Sequence, residues 1–444
     1  MKKTFTLSLA LALCASVHAE NLKIFSCGIG TPGMEEPALM GLGISPNGKY
    51  ICGALQEGVG IFVADNETGD VNWLILSNDD GGELRHVDNR GVAIGVADDG
   101  ILFSLEDAEE TIIPAPAGYR YFLGDDLTND GSMMVGSLPG KSFDGKAVYT
   151  YDAEEWYFLP VPTQEELGDL DPRADASAAK FVSADGKVIF GHLGSFGVPI
   201  VWIKNDAGEY EYDFFPAKYL KATQADIDNP DKPLYGLSAM YTNMSNNGKY
   251  LCMVGRIKVE GTGQDLDIPV VYNTEEKSLT LYKDFQDIDE NGNGLYPCAI
   301  SDDGTMIGTI GQPYFHSVGT FILRAGQSQA ELYTEAFPEY RKKLGAADEL
   351  GFNMPTGISA DGRYLLGYTY YADDYYDPAS PEYWVTYTID TQAGSTGVES
   401  AMVTESQAVP EAYYSVDGKR LGEMTKGVNI VRMSDGTVRE VIKK

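Results

Sequence analysis

Positive charge is scarce in this chain. Its 444 residues hold 33 Lys and Arg against 66 Asp and Glu, a formal charge of −33. Nucleic acid and anionic lipid repel such a surface, so neither is an expected partner. Histidine is scarcer still, and His86, His192 and His316 stand far apart without zinc-ligand spacing. Beyond the N-terminus no apolar run reaches the ~20 residues of a spanning helix, so no transmembrane span is expected. Nucleophile elbows and Gly-rich phosphate loops that follow a strand and open a helix are both missing.

What is there begins with Lys2 and Lys3, an apolar run over residues 5–15, and Val17-His18-Ala19. This order reads as a secretory signal peptide, residues 1–19, cleaved after Ala19. The chain then repeats itself. Copies of one short pattern are SPNGKYICG (45–53), DNRGVAIG (88–95), TNDGSMMVG (128–136), SADGKVIFG (183–191), SNNGKYLCM (245–253), SDDGTMIG (301–308) and SADGRYLLG (359–367). Their turn glycines are Gly48, Gly91, Gly131, Gly186, Gly248, Gly304 and Gly362. Ser, Thr or Asp opens each turn and is expected to bond the backbone two residues on, while Gly at the fourth position accepts a left-handed conformation. Apolar runs lie on both sides, so each copy reads as a hairpin of two strands. A second apolar pair follows each copy, as in GIFVADNETGDVNWLIL and VPIVWIKNDAGEYEYDFFP. Four antiparallel strands per unit, seven times over residues 34–392, predict an all-β fold: a seven-bladed β-propeller over residues 20–392. The motif resembles the extracellular HAF-type repeats, and SPNGKYI is similar to the propeller repeats of TolB-like proteins. Both resemblances imply a fold and leave the function open.

The ring places the cysteines. Cys52 and Cys252 each follow a turn glycine by four residues, in the first and fifth repeats. They belong to non-adjacent blades and are expected as buried free thiols. Cys27 and Cys298 would pair only if the N-terminal strand lay beside the inner strand of the sixth blade.

Strands alternate in direction, so the motif turns share one face and the long, unlike loops share the other. Variable loops on a rigid scaffold are where function concentrates. Those loops carry the candidate ligand-binding residues Tyr314, Phe315, His316, Tyr371, Tyr375, Tyr376 and Trp384, with Asp373 and Asp374. Such aromatic and acidic residues stack on sugars or anchor a protein partner, and equally cover blade edges. Asp287, Asp289 and Asn291 in DIDENGNG alternate oxygen ligands as an EF-hand-type loop begins. The twelfth position is Cys298, where a bidentate Glu is needed. A solvated inter-blade turn with no cofactor is therefore expected, calcium being the alternative these three residues would serve.

Residues 393–411 have a linker's composition. Residues 412–444 hold seven Lys or Arg and four Asp or Glu, opposite in sign to the body, and read as three short strands. Asp417-Gly418-Lys419-Arg420-Leu421, Lys426 to Val431, Gly436 and Lys443-Lys444 make this short C-terminal β tail similar to the sorting domains of type IX secretion cargo. That resemblance implies secretion or display on the outer membrane of a Gram-negative bacterium, with the periplasm as the alternative. The sequence thus predicts an exported, monomeric binding module for a glycan or protein. An extracellular carbohydrate-active hydrolase or lyase with carboxylates in the central funnel, and a structural surface protein, are the alternatives.

Overall fold

The computed structural model describes residues 22–25, 39–55, 59–76, 81–139, 145–167, 176–194, 197–213, 234–258, 263–282, 293–312, 317–344, 351–372, 382–392, 410–415, 420–421, 426–433 and 438–443. Two units emerge, Met1–Ala393 and Gly394–Lys444. The first is a seven-bladed β-propeller of four-stranded antiparallel sheets. Blade one runs outward through Leu39–Ile44, Tyr50–Leu55, Gly60–Asp65 and Val71–Ile75. The next five blades follow the same order. The seventh differs from the repeat count. Its own segment supplies Gly351–Ile358, Tyr364–Ala372 and Glu382–Asp390, and the outermost strand is Leu22–Phe25 from the other end of the chain. The N-terminal strand therefore lies at the outer edge of blade seven, not beside the inner strand of blade six. The condition for a Cys27–Cys298 bond is not met; Cys27 itself is outside the described residues, and Cys298, Cys52 and Cys252 are free thiols.

The core is divided among the blade junctions. Seven apolar clusters fill the described interior, one between each neighbouring pair of blades. Middle strands are covered on both faces and read as unbroken apolar runs, such as Tyr50–Leu55 and Gly60–Asp65. Outer strands, covered on one face, mix exposed and buried positions, and Val71–Ile75 has no fully buried residue. Cys52 and Cys252 sit in two of these junctions, fully buried as expected.

The turn motif does more than close a hairpin. All seven turn glycines have φ between +65° and +92°, the left-handed region that a Cβ disfavours. The opening residue is buried in every copy. Ser45 Oγ accepts the Tyr50 N–H at 2.9 Å and donates to Asn47 Oδ1 at 2.7 Å. The hydroxyl thus spans the whole turn, whereas in the second copy Asp88 Oδ1 accepts the Arg90 N–H two residues on, as expected. The second turn position joins the blades. Ala360 N–H donates to Pro46 O, Asp302 N–H to Ala360 O, Ala184 N–H to Asn246 O and Asn89 N–H to Asn129 O.

The last glycine of the motif is a packing requirement. A Cβ at Gly53, Gly136 or Gly191 would lie 1.9 Å from a carbonyl oxygen of its blade's inner strand, and one at Gly95 2.0 Å. The inner strand bulges just beyond that contact. Blade five, where Met253 replaces the glycine, has no single-residue bulge at this position. Four residues, 239–242, oppose Met253 there.

The C-terminal unit is one antiparallel sheet ordered Arg420–Leu421, Pro410–Ser415, Gly427–Met433, Val438–Lys443. It has four strands where three were expected, the added one falling on the short Arg420-Leu421 segment.

Gly136→Ala forces its methyl onto Leu123 O and is expected to cost about 3 kcal/mol in denaturant unfolding, an overpacking penalty. Gly319→Ala meets nothing closer than 3.6 Å and serves as the control, with an expected change under about 1 kcal/mol.

Candidate functional site

Each bulge releases one residue of the inner strand from pairing, three positions before the turn's first residue. These are Leu42, Arg85, Asp125, Lys180, Cys298 and Thr356. Thr242 holds the same position in the longer irregularity of blade five. All seven line one cavity of about 330 Å³ in the central channel, a volume in the range of small-ligand sites. The ring is uneven. Charge occupies blades two to four, while blades one and five to seven present Leu, Thr and Cys.

The charged residues form a ladder across three blades. Arg85 donates from Nη1 to Asp125 Oδ1 at 2.6 Å, and from Nε to Glu83 Oε1 at 2.7 Å. Lys180 Nζ reaches the same Asp125 Oδ1 at 2.8 Å. Burial works against the Arg85 charge, but Asp125 and Glu83 outweigh it and hold the guanidinium protonated. The Asp125 side chain is only 4% exposed, and its Oδ2 is buried without a hydrogen-bond partner. One oxygen thus carries two cations while the other is sealed in protein.

The next residue along each strand adds a second pair. His86 Nδ1 lies 3.1 Å from Asp126 Oδ1. Burial drives the Asp126 carboxyl well above its ordinary range, against the pull of the Val182 and Leu127 N–H donors. Burial likewise lowers the His86 imidazole to about 4, with Asp88 opposing. Burial thus disfavours the charged form of both members of the pair. Across the channel the lining includes Leu42, Ile44, Met244, Ile300, Met354 and Ile358, with Thr242, Asn243, Asn246 and Thr356 among them. Burial also raises the Cys298 thiol, which keeps it an unreactive part of that wall.

None of these channel residues was singled out from sequence as a binding residue; His86 and Cys298 were weighed only as a zinc ligand and a disulfide partner. The signal was nonetheless present: aligning the seven copies on the turn and reading three positions upstream gives the ring directly. The residues that were singled out fall elsewhere. Tyr314, Phe315, His316, Asp373, Asp374, Tyr375 and Tyr376 lie outside the described residues, as do Asp287, Asp289 and Asn291. Tyr371 and Trp384 lie at the loop ends of blade seven's middle strands, where Tyr371 pairs with Tyr383 and Tyr370 with Trp384. Among the described residues no group of three His, Cys, Asp or Glu could hold a metal ion, and no helix is long and apolar enough to cross a membrane.

No protein-family model matches this sequence. No curated protein matches it either. Solved structures do resemble it. TolB from Acinetobacter baumannii is 10% identical over 64% of this chain and 63% of its own length, with a TM-score of 0.38. A putative TolB from Agrobacterium tumefaciens is 12% identical over 59% of this chain and 87% of that one, at 0.34. An oligogalacturonate lyase in complex with manganese is 11% identical over 78% and 87%, at 0.46. TolB-like propellers are therefore among its structural neighbours, a likeness of fold.

Taken alone, an imidazole buried neutral makes stability fall as pH falls, because the unfolded chain takes up the proton first, from about pH 6.5 downward; the raised Asp126 carboxyl contributes with the opposite sign, so the imidazole itself is the group to follow. The folded protein's His86 NMR signals are expected to titrate near pH 4, the value to which burial lowers it. A midpoint at or above 6.5 would mean a charged imidazole paired with the Asp126 carboxylate.

Proposed function

We propose that the chain is an exported binding module, recognising a glycan or a protein at or beyond the surface of a Gram-negative bacterium, with the central channel as the seat of its ligand. One observation carries the reading. Seven inner strands built on one pattern differ at the channel position, and the charged members stand together on blades two to four. A purely structural ring has no need to concentrate Arg85, Asp125 and Lys180 on one side. Buried charge is costly and is more often kept for a site than for stability. Export is supported by the N-terminal apolar segment and by the tail's resemblance to type IX sorting domains.

A carbohydrate-active hydrolase or lyase is the second reading, favoured by the presence of Glu83, Asp125 and Asp126 in the channel. Paired carboxylates in such enzymes flank the bond to be broken, one as acid and one as base or nucleophile. Here Asp125 is tied to two cations, and Asp126 to two backbone N–H groups and His86. Phe181 is the sole aromatic among the lining residues. Binding without turnover fits these ties better. A glycan array run beside a polysaccharide-degradation screen separates the two readings. Retention of a glycan with no products is expected; release of products from any polysaccharide would overturn the binding reading.

A further inference from the structure

The polar wall of the channel has hydrogen-bonding capacity left over, and it is nearly all of one kind. A guanidinium carries five N–H donors and an ammonium three. Arg85 spends Nε and one Nη2 donor on Glu83 and one Nη1 donor on Asp125. Lys180 spends one on Asp125. Two N–H groups on each cation have no partner among the described residues. Both side chains stay open to the channel, 27% and 32% exposed. Against these four donors, the free acceptor on the same ladder is the second oxygen of Glu83.

Asp125 explains why the donors lie together. Its Oδ1 binds Arg85 and Lys180 at once, so the two cationic heads converge on a single atom. Its Oδ2 is sealed off, so Asp125 anchors the cations and is not itself a ligand contact. Glu83, 42% exposed, is the loose member, able to swing into solvent and release Arg85. The facing wall is largely apolar, with Leu42, Met244, Ile300, Met354 and Ile358 around Thr242 and Thr356, and suits an apolar surface on the same ligand.

The geometry points to a carboxylate-bearing ligand, of the size of an acidic sugar or a small organic acid, seated with its carboxylate on Arg85 and Lys180 and its body against the apolar wall. This rests on the binding reading above and names the ligand class for that site. Guanidinium and ammonium groups together favour an oxyanion over a neutral hydroxyl because charge-assisted hydrogen bonds are the stronger kind. The cavity's 330 Å³ sets the size, roughly one or two sugar rings at the small end of ligand pockets.

Calorimetric titration of the full chain with glucuronate, glucose and citrate tests this. Glucuronate is expected to bind at least about tenfold more tightly than glucose, the worth of one charge-assisted contact. Lys180→Met is expected to lose a similar factor, and Lys180→Arg to restore most of it. Binding of citrate as well as glucuronate supports the carboxylate seat with a small acid as occupant; binding of glucuronate alone supports an acidic sugar. Glucose bound as tightly as glucuronate, an unchanged glucuronate affinity in Lys180→Met, or no binding of either acid would overturn the inference. If Lys180→Met does not fold, the glucuronate-to-glucose comparison on the natural protein decides. Retention on the array of glycans that all lack a carboxylate would overturn this inference and leave the binding reading standing. Polysaccharide cleavage would do the reverse.

Discussion

In blades one to four and in blade six a glycine of the second strand lies tight against a carbonyl of the first. At Gly136 there is no room for a side chain, because Leu123 O would lie 1.9 Å from its Cβ. The same approach recurs at Gly53, Gly95 and Gly191. Bringing the first two strands so near lets blades converge on the axis, and the inner strand relieves the crowding with a bulge one residue later. That bulge frees a residue to face the channel. Blade five tests the logic within one molecule: Met253 replaces the glycine and the compact bulge is replaced by a four-residue detour. A repeat signature that reads as turn chemistry is thus equally a statement about where the channel lining comes from.

From this follows a division of labour along the repeat. Turn residues fasten neighbouring blades through their second position, and a buried Ser, Thr or Asp side chain stiffens the turn from within. Apolar middle strands fill the junctions between blades. All this is common to the ring and carries no information about a ligand. The channel position carries it, since its side chain is released from the ladder and costs the fold little to vary. Arg85, Asp125 and Lys180 occupy it in three successive blades, and His86 and Asp126 follow directly behind two of them.

How much of this was legible depends on the range over which each signal acts. Local hairpin chemistry around Gly48 or Gly362 announces itself within nine residues, so the seven blades could be counted. The closing strand could not be foreseen: Leu22–Phe25 is four residues long, has no motif turn, and pairs across the whole chain with residues 386–389. The charged ladder joins residues 40 and 55 apart, and no spacing rule links them. It becomes visible only when the copies are aligned and read upstream of the turn. Aromatic and acidic loop residues attracted notice by composition, which ranks residue types and is blind to register. The turn chemistry was met two residues on by Asp88, while the Ser45 hydroxyl reaches a donor five residues on.

The central claim is that the Arg85–Asp125–Lys180 ladder serves a ligand and is not what holds blades two to four together. Removing one member of a buried ion network leaves uncompensated charge, at a typical cost of about 3–5 kcal/mol, whereas replacing the whole set with apolar residues of similar volume is often neutral or stabilising. Denaturant unfolding of the triple variant Arg85→Met, Asp125→Leu, Lys180→Met is the direct measurement. An unfolding free energy equal to or above that of the natural protein is the predicted result. A loss of several kcal/mol in the triple variant would contradict the account and make the ladder part of the ring's own fastening.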